Sequence, residues 1–138
     1  MAFGTLVDSN VLLDVITEDE AWLEWSSMAL ASAAENGPVF INPIIYAEVS
    51  VGFSRIEDLE AALPRAEYRR LSVPWEAAFL AGKAFLEYRR TRGTRSSTLP
   101  DFFIGAHAAV AGLRLLTRDA SRYRTYFPTL ELAAPDGT

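Results

Sequence analysis

The sequence contains no cysteine. Disulfide staples and thiolate metal centres are therefore excluded, and the chain suits a reducing, cytoplasmic compartment. Lysine and histidine are almost absent, with Lys83 and His107 as single representatives. No apolar run approaches the length of a membrane span, and the opening Met1-Ala-Phe-Gly-Thr5 has no basic segment of the kind that begins a signal peptide. Positive charge is in deficit. With 13 basic and 18 acidic residues the net charge is −5, which argues against a general nucleic-acid binder, a class that is usually basic.

What is present is enough for a core. Half of the 138 residues are apolar, so one domain can bury a sizeable interior without staples. The basic residues other than Lys83 are all arginine. Arginine grips phosphate in a fork that lysine lacks, although genome base composition would give the same skew.

Apolar runs at 3–7, 39–41, 115–117 and 130–132 read as short buried strands, with a further strand expected within 68–73. Helical spacing is expected over 9–16, 18–34, 43–51, 56–63, 74–90 and 100–112, with Pro and Gly punctuating the ends. Residues 91–98 are polar and read as a loop, and the tail after Ala134 is expected to fray. Strands alternate with helices and no repeat or linker interrupts them. The pattern predicts one domain over 1–138, a three-layer α/β/α sandwich with a short, mostly parallel central sheet.

In open parallel sheets, sites form beyond the carboxyl ends of the strands. Asp8 directly follows the first strand, and Asp119 lies two residues past the 115–117 strand, so both should face one edge. Asp101 falls in the first turn of a helix and Glu48 lies within another, and spacing alone does not say where they point. If all four converge, repulsion is severe: two unit charges about 4 Å apart cost about 4 kcal/mol at an effective dielectric of roughly 20. Proton uptake or a cation would relieve it. Hard oxygen donors without cysteine favour Mg²⁺ or Mn²⁺ over zinc. Phosphodiester cleavage is the natural chemistry of such an ion. If the four site acids are set aside, the remaining charge is −1. Each carboxylate also has an ordinary structural use: Asp8 as a helix cap, Asp101 against a helix dipole, Asp119 in a turn, and Glu48 as an exposed glutamate.

The segments around these acids resemble the blocks of a known family. Leu6-Val-Asp8-Ser-Asn10-Val-Leu-Leu-Asp14 resembles the opening motif of PIN-domain ribonucleases, most of all the VapC toxins of prokaryotic toxin–antitoxin pairs. Asn42-Pro-Ile-Ile-Tyr-Ala-Glu48-Val resembles the second block, and Leu99-Pro-Asp101-Phe-Phe-Ile-Gly-Ala-His-Ala the third. Leu115-Leu-Thr117-Arg-Asp119 resembles the fourth, and 123–132 the closing segment. The blocks occur in family order over nearly the whole chain.

The resemblance implies that Asp8, Glu48, Asp101 and Asp119 hold one or two Mg²⁺ or Mn²⁺ ions. It further implies hydrolysis of RNA to 5′-phosphate and 3′-hydroxyl ends. Asn10 and Thr117 match polar positions that support the carboxylates. A cognate antitoxin and a homodimer are the implied partners. His107 stands where a small residue is more typical, and a packed or rim role is expected of it.

Arg89, Arg90, Arg92 and Arg95 end the long helix and enter the loop. They would either complement a helix C-terminus or form a phosphate-gripping rim, to which Arg118, Arg122 and Arg124 would add. Trp22 and Trp25, three apart, would pack in the core or line a groove for an antitoxin segment or second subunit.

Two rivals fit poorly. An aspartyl-phosphate phosphatase wants a second aspartate where Asn10 stands, and a response regulator wants paired acids before the first strand's aspartate. A third alternative is a non-catalytic metal- or RNA-binding interaction module that retains the fold.

Overall fold

The computed structural model describes residues 2–92 and 98–136, with the side chain of Arg92 excepted. Its centre is strand β1 (Thr5–Val7), three residues with no exposed side. Burial on both faces explains why this strand reads as a continuous apolar run rather than an alternating one. It pairs in parallel with β2 (Val39–Ile41), Leu6 facing Phe40, and with β4 (Arg114–Leu116), Leu6 facing Leu115. Outside these lie β3 (Arg69–Arg70) and β5 (Leu132–Ala133), also parallel, giving the order β3-β2-β1-β4-β5.

The chain builds outward from β1 through β2 to β3, then returns to the other side of β1 for β4 and β5. The reversal makes the gap between β1 and β4 a topological switch point. Its carboxyl end is the place where an open α/β sheet leaves a crevice.

Helices cover the sheet. In chain order they are α1 (Ser9–Ile16), α2 (Leu23–Glu35), α3 (Pro43–Ser50), α4 (Ile56–Ala62), α5 (Trp75–Arg92), α6 (Leu99–Ala111) and α7 (Ser121–Arg124). α1 packs on α2 and α3, and α6 packs on α3 and α5. The α5–α6 seam is aromatic: Phe102 meets Phe85, Tyr88, Tyr126 and Phe127 at centroid separations of 5.3 to 6.3 Å. Tilted and edge-on pairs of this kind hold a seam by more than area alone.

Two helix ends matter for the site. Asn42 caps α3, its Oδ1 accepting from the Ile45 N–H at 2.9 Å, and Pro43 takes the first helical position where no N–H is needed. Gly105 in α6 allows the chain after β4 to come close. A Cβ there would lie 2.6 Å from the Phe127 ring and 2.9 Å from that of Tyr123.

The expected elements are present with shifted ends. The 18–34 helix starts only at Leu23. Glu18 sits at a positive φ of 52°, and the Asp19 carboxylate accepts from the N–H groups of Ala21 and Trp22, folding 18–22 as a turn. The 68–73 strand contracts to Arg69–Arg70, on the sheet edge. The last strand moves to Leu132–Ala133 because the Leu130 N–H closes a turn on the Phe127 carbonyl. α5 continues to Arg92, and α7 was not anticipated. Most of the expected 91–98 loop, with Arg95 and the last two residues of the tail, lies outside the described residues.

Candidate active site

The carboxyl ends of β1 and β4 deliver Asp8 and Thr117 side by side. Asp8 occupies the N-cap position of α1, yet its side chain makes no capping bond. Its Oδ2 instead accepts from the Thr117 hydroxyl and the Tyr123 hydroxyl, each at 2.8 Å. All three residues are buried. Thr117 Oγ1 also accepts from the Asp119 N–H at 3.1 Å and lies 3.4 Å from Asn10 Nδ2. One buried hydroxyl thus ties the first acid to the loop bearing the last, with Asn10 as a more distant brace.

Glu48 reaches the same edge from α3, where its Oε1 accepts from the Ser9 hydroxyl at 2.7 Å. Asp101 stands in the first turn of α6. Its Oδ2 accepts from the Thr98 N–H at 3.0 Å, the acidic half of a capping box. Its Oδ1 is 3.1 Å from Nη1 of Arg122, whose Nη2 is 3.2 Å from Oδ2 of Asp119. The other Asp119 oxygen accepts from Ser121 at 3.0 Å.

The acids feel one another. Burial pushes the Asp8 carboxyl above its usual range against the pull of the Tyr123 and Thr117 bonds, and the Asp101 charge adds to the rise. Glu48 is raised by partial burial and by the charges of Asp8 and Asp101, with Ser9 and Arg122 opposing. Burial and the neighbouring Asp8 hold the Tyr123 hydroxyl far from ionisation, so it remains a donor. Burial disfavours the Arg122 charge, but Asp101 and Asp119 outweigh it and raise its pKa.

This donor set suits a hard divalent cation: two carboxylates made to resist ionisation by burial and neighbouring charge, with a guanidinium drawn between the other two. Among the described residues, however, no three acidic or histidine side chains are gathered closely enough to hold a metal ion as they stand. A metal ion would require some of these side chains to change partners.

The sequence matches the PIN domain family over residues 5–128. The chain belongs to the PIN-domain family. Similar folds occur in solved toxin–antitoxin structures. A chain of VapBC2 from Rickettsia felis, bound to a DNA fragment from its promoter, is 18% identical with a TM-score of 0.71, covering 94% of this chain and 97% of that one. A chain of VapBC-1 from nontypeable Haemophilus influenzae is 17% identical with a TM-score of 0.70, covering 94% and 96%. A chain of a toxin–antitoxin complex from Klebsiella pneumoniae is 23% identical with a TM-score of 0.63, covering 87% and 90%. None of the curated proteins compared matches the sequence.

The other singled-out residues of this PIN domain fall into place unevenly. Arg118 is not a free rim cation. Its guanidinium forms a two-bond fork with the buried Asp14 at 2.8 and 3.1 Å and lies 5.2 Å from the centre of the Trp22 ring. Its work is to anchor the loop that carries Asp119. Trp22 and Trp25 meet edge to face at 6.0 Å, both half-buried. Trp25 packs on the core and also walls a groove of about 340 Å³ with Ala29, Ala33 and Leu116.

Arg89 and Arg90 are exposed near the end of α5, Arg89 lying 5.9 Å from the Phe85 ring, and Arg124 is exposed past the site. His107 is buried. Its Nδ1 is 2.9 Å from Asn42 Nδ2 and accepts there, so the proton of the neutral ring sits on Nε2. It braces the cap of α3, and through that the helix carrying Glu48.

Ser9, Asp14 and Tyr123 were not foreseen as parts of the site. Ser9 lies inside the opening motif and Asp14 closes it, so both lay within reach of the sequence. Tyr123 is 115 residues from its partner and had no local signal.

Proposed function

We propose that this PIN domain is a metal-dependent endoribonuclease and the toxin of a toxin–antitoxin pair. What supports the reading is that Asp8 and Glu48, raised first by burial, both feel the charge of Asp101, while Arg122 links Asp101 to Asp119. These four residues would hold one or two Mg²⁺ or Mn²⁺ ions, which lower the pKa of a bound water and stabilise the leaving oxygen of an RNA phosphodiester. The chain's own contribution is orientation. Tyr123 and Thr117 fix the rotamer of Asp8, Ser9 fixes Glu48, and the Asp14–Arg118 fork holds the loop of Asp119. Arg89 and Arg90 would supply phosphate contacts from near the end of α5, and the sequence adds Arg92 and Arg95 as candidates.

An antitoxin segment laid in the groove walled by Trp25, against which Trp22 packs, is the proposed partner. A homodimer is proposed from the same family resemblance, and light scattering of the purified chain tests it. Among the described residues no helix is long and apolar enough to cross a membrane.

A second reading has one observation in its favour. Asp101 and Asp119 are already satisfied by Arg122, Thr98 and Ser121, as they would be in a non-catalytic module that keeps the fold. The two readings separate in one experiment. Antitoxin-free protein is incubated with structured cellular RNA in Mn²⁺, Mg²⁺ or EDTA, beside folded Asp101→Asn, and product ends are mapped. Cleavage that requires metal and Asp101 and leaves 5′-phosphates supports the nuclease. Metal binding without cleavage of any RNA supports the module.

A further inference from the structure

Arg122 joins two acids from different elements. Asp101 belongs to the first turn of α6 and Asp119 to the loop after β4, and the guanidinium spans them with one nitrogen to each. Charge-assisted forks of this kind are among the stronger polar contacts in proteins. The remaining oxygens are also engaged, Asp101 Oδ2 by the Thr98 N–H and Asp119 Oδ1 by the Ser121 hydroxyl. Every oxygen of the pair therefore has a donor. Oxygens with one donor keep a free lone pair, but a metal ion approaching this pair meets the positive guanidinium already seated between the two carboxylates.

Arg122 is the donor best placed to go. The Thr98 N–H is backbone at a helix start. The Ser121 hydroxyl reaches a carboxylate only two residues away. The Arg122 side chain is long and about a third exposed. Its neighbour Tyr123 is buried against Gly105 and bonded to Asp8, so α7 stays seated while the arginine side chain turns outward. Departure of the guanidinium without a replacement would leave two facing carboxylates, whereas departure in exchange for a divalent ion would not.

We infer that Arg122 is an internal counter-cation that competes with the metal, so that the ion gains Asp101 and Asp119 only as the guanidinium lets them go. The inference rests on the metal-dependent reading above and deepens it. Arg122 keeps the metal-free site from repelling itself apart, and it makes metal binding weaker than four unopposed carboxylates would allow.

The test is calorimetric titration of Mn²⁺ into metal-stripped full chain, with urea unfolding in EDTA alongside. The proteins are wild type, Arg122→Gln, Arg122→Lys and Arg55→Gln. Arg55 is an exposed residue paired with Glu57, and its substitution makes the same change in net charge. Arg122→Gln should bind Mn²⁺ more tightly, on the order of tenfold, as expected for losing a charged hydrogen-bonded competitor. It should also unfold at lower urea in EDTA. Arg122→Lys, which keeps the charge but loses the fork, should fall between it and wild type, and it carries the test alone if the glutamine variant does not fold. Arg55→Gln should match wild type in both measurements. Equal or weaker Mn²⁺ binding by the Arg122 variants, with wild type binding normally, overturns the competition and leaves the metal-dependent reading intact. No Mn²⁺ binding by any of the proteins removes both.

Discussion

The hydroxyl of Tyr123 donates to Oδ2 of Asp8 across 2.8 Å, joining the last helix to the first strand's acid inside the core. Thr117 donates to the same oxygen, so Asp8 is gripped from two sides. Removing one grip should lower stability and loosen the acid together. Tyr123→Phe keeps the ring and deletes the donor. It should cost about 1–2 kcal/mol in urea unfolding. It should also lower kcat of RNA cleavage more than it raises KM, because the lost contact acts on the reacting centre rather than on the RNA. Unchanged stability and cleavage would show that Thr117 alone suffices.

The raised pKa of Asp8 has a sign that can be tested. A carboxyl held above 3.8 by burial binds its proton more readily in the folded chain than in the unfolded one. Its contribution favours folding at acid pH and is lost as pH rises from the unfolded value through the folded one. At pH 7 in EDTA, Asp8→Asn should therefore melt higher than wild type, and the gap should close as the pH falls toward about 4. Adding Mn²⁺ should raise the melting temperature of wild type and do little for the variant. A variant that melts lower at pH 7 in EDTA would contradict the assignment of burial as the dominant effect.

Arg118 and the α5 arginines should behave differently. Arg118→Ala strands the buried Asp14 carboxylate, with Ser26 as its remaining side-chain donor among the described residues, and should cost about 2 kcal/mol or more in stability. Arg89 and Arg90 are exposed, so the triple alanine variant with Arg92 should fold with wild-type stability and bind RNA more weakly at low salt. Filter binding across a salt series distinguishes the two classes. Unchanged RNA affinity in the triple variant would remove the α5 end from the RNA path.

His107 should make the α3 end sensitive to acid. Burial holds its pKa below 6.5, so the unfolded chain takes up the proton first. Stability from this group is complete above 6.5 and is lost as the pH falls from there toward the folded value. His107→Gln cannot take up that proton, and its stability should therefore be flatter than wild type between about pH 7 and 5. Parallel stability curves for the two proteins would exclude the effect.

Gly105 sets two effects against each other. Alanine favours a helix interior by about 1 kcal/mol over glycine. Here its Cβ would meet the buried rings of Phe127 and Tyr123 well inside contact distance. Overpacking costs typically about 1–3 kcal/mol, so Gly105→Ala should destabilise. The variant should also move Tyr123, and RNA cleavage should fall with stability. A net gain in urea stability would mean that the rings shift freely.

Legibility followed sequence distance. The central strands were readable because burial on both faces leaves an unbroken apolar run, as in Leu6-Val7 and Leu115-Leu116. Their carboxyl ends then placed Asp8 and Asp119 on one edge without any knowledge of contacts. Asp101 was ambiguous because a first-turn aspartate serves a capping box and a site with the same geometry, and here it makes the capping-box bond while its other oxygen faces Arg122. Arg118 looked like a rim cation because the carboxylate that claims it, Asp14, is 104 residues away. The start of α2 was misplaced because propensity saw helix formers at 18–22, while the Asp19 side chain bonded the backbone first.

The pairing of β1 with β4 also bears on how such a chain is made. Asp8 emerges early in synthesis, but Thr117 and Tyr123, which hold it, follow more than a hundred residues later. A fragment that stops short of β4 lacks Asp119 as well as both donors to Asp8. The complete constellation can form only once the chain has been made past Tyr123. Such a fragment would carry the first acid without the partners that orient it.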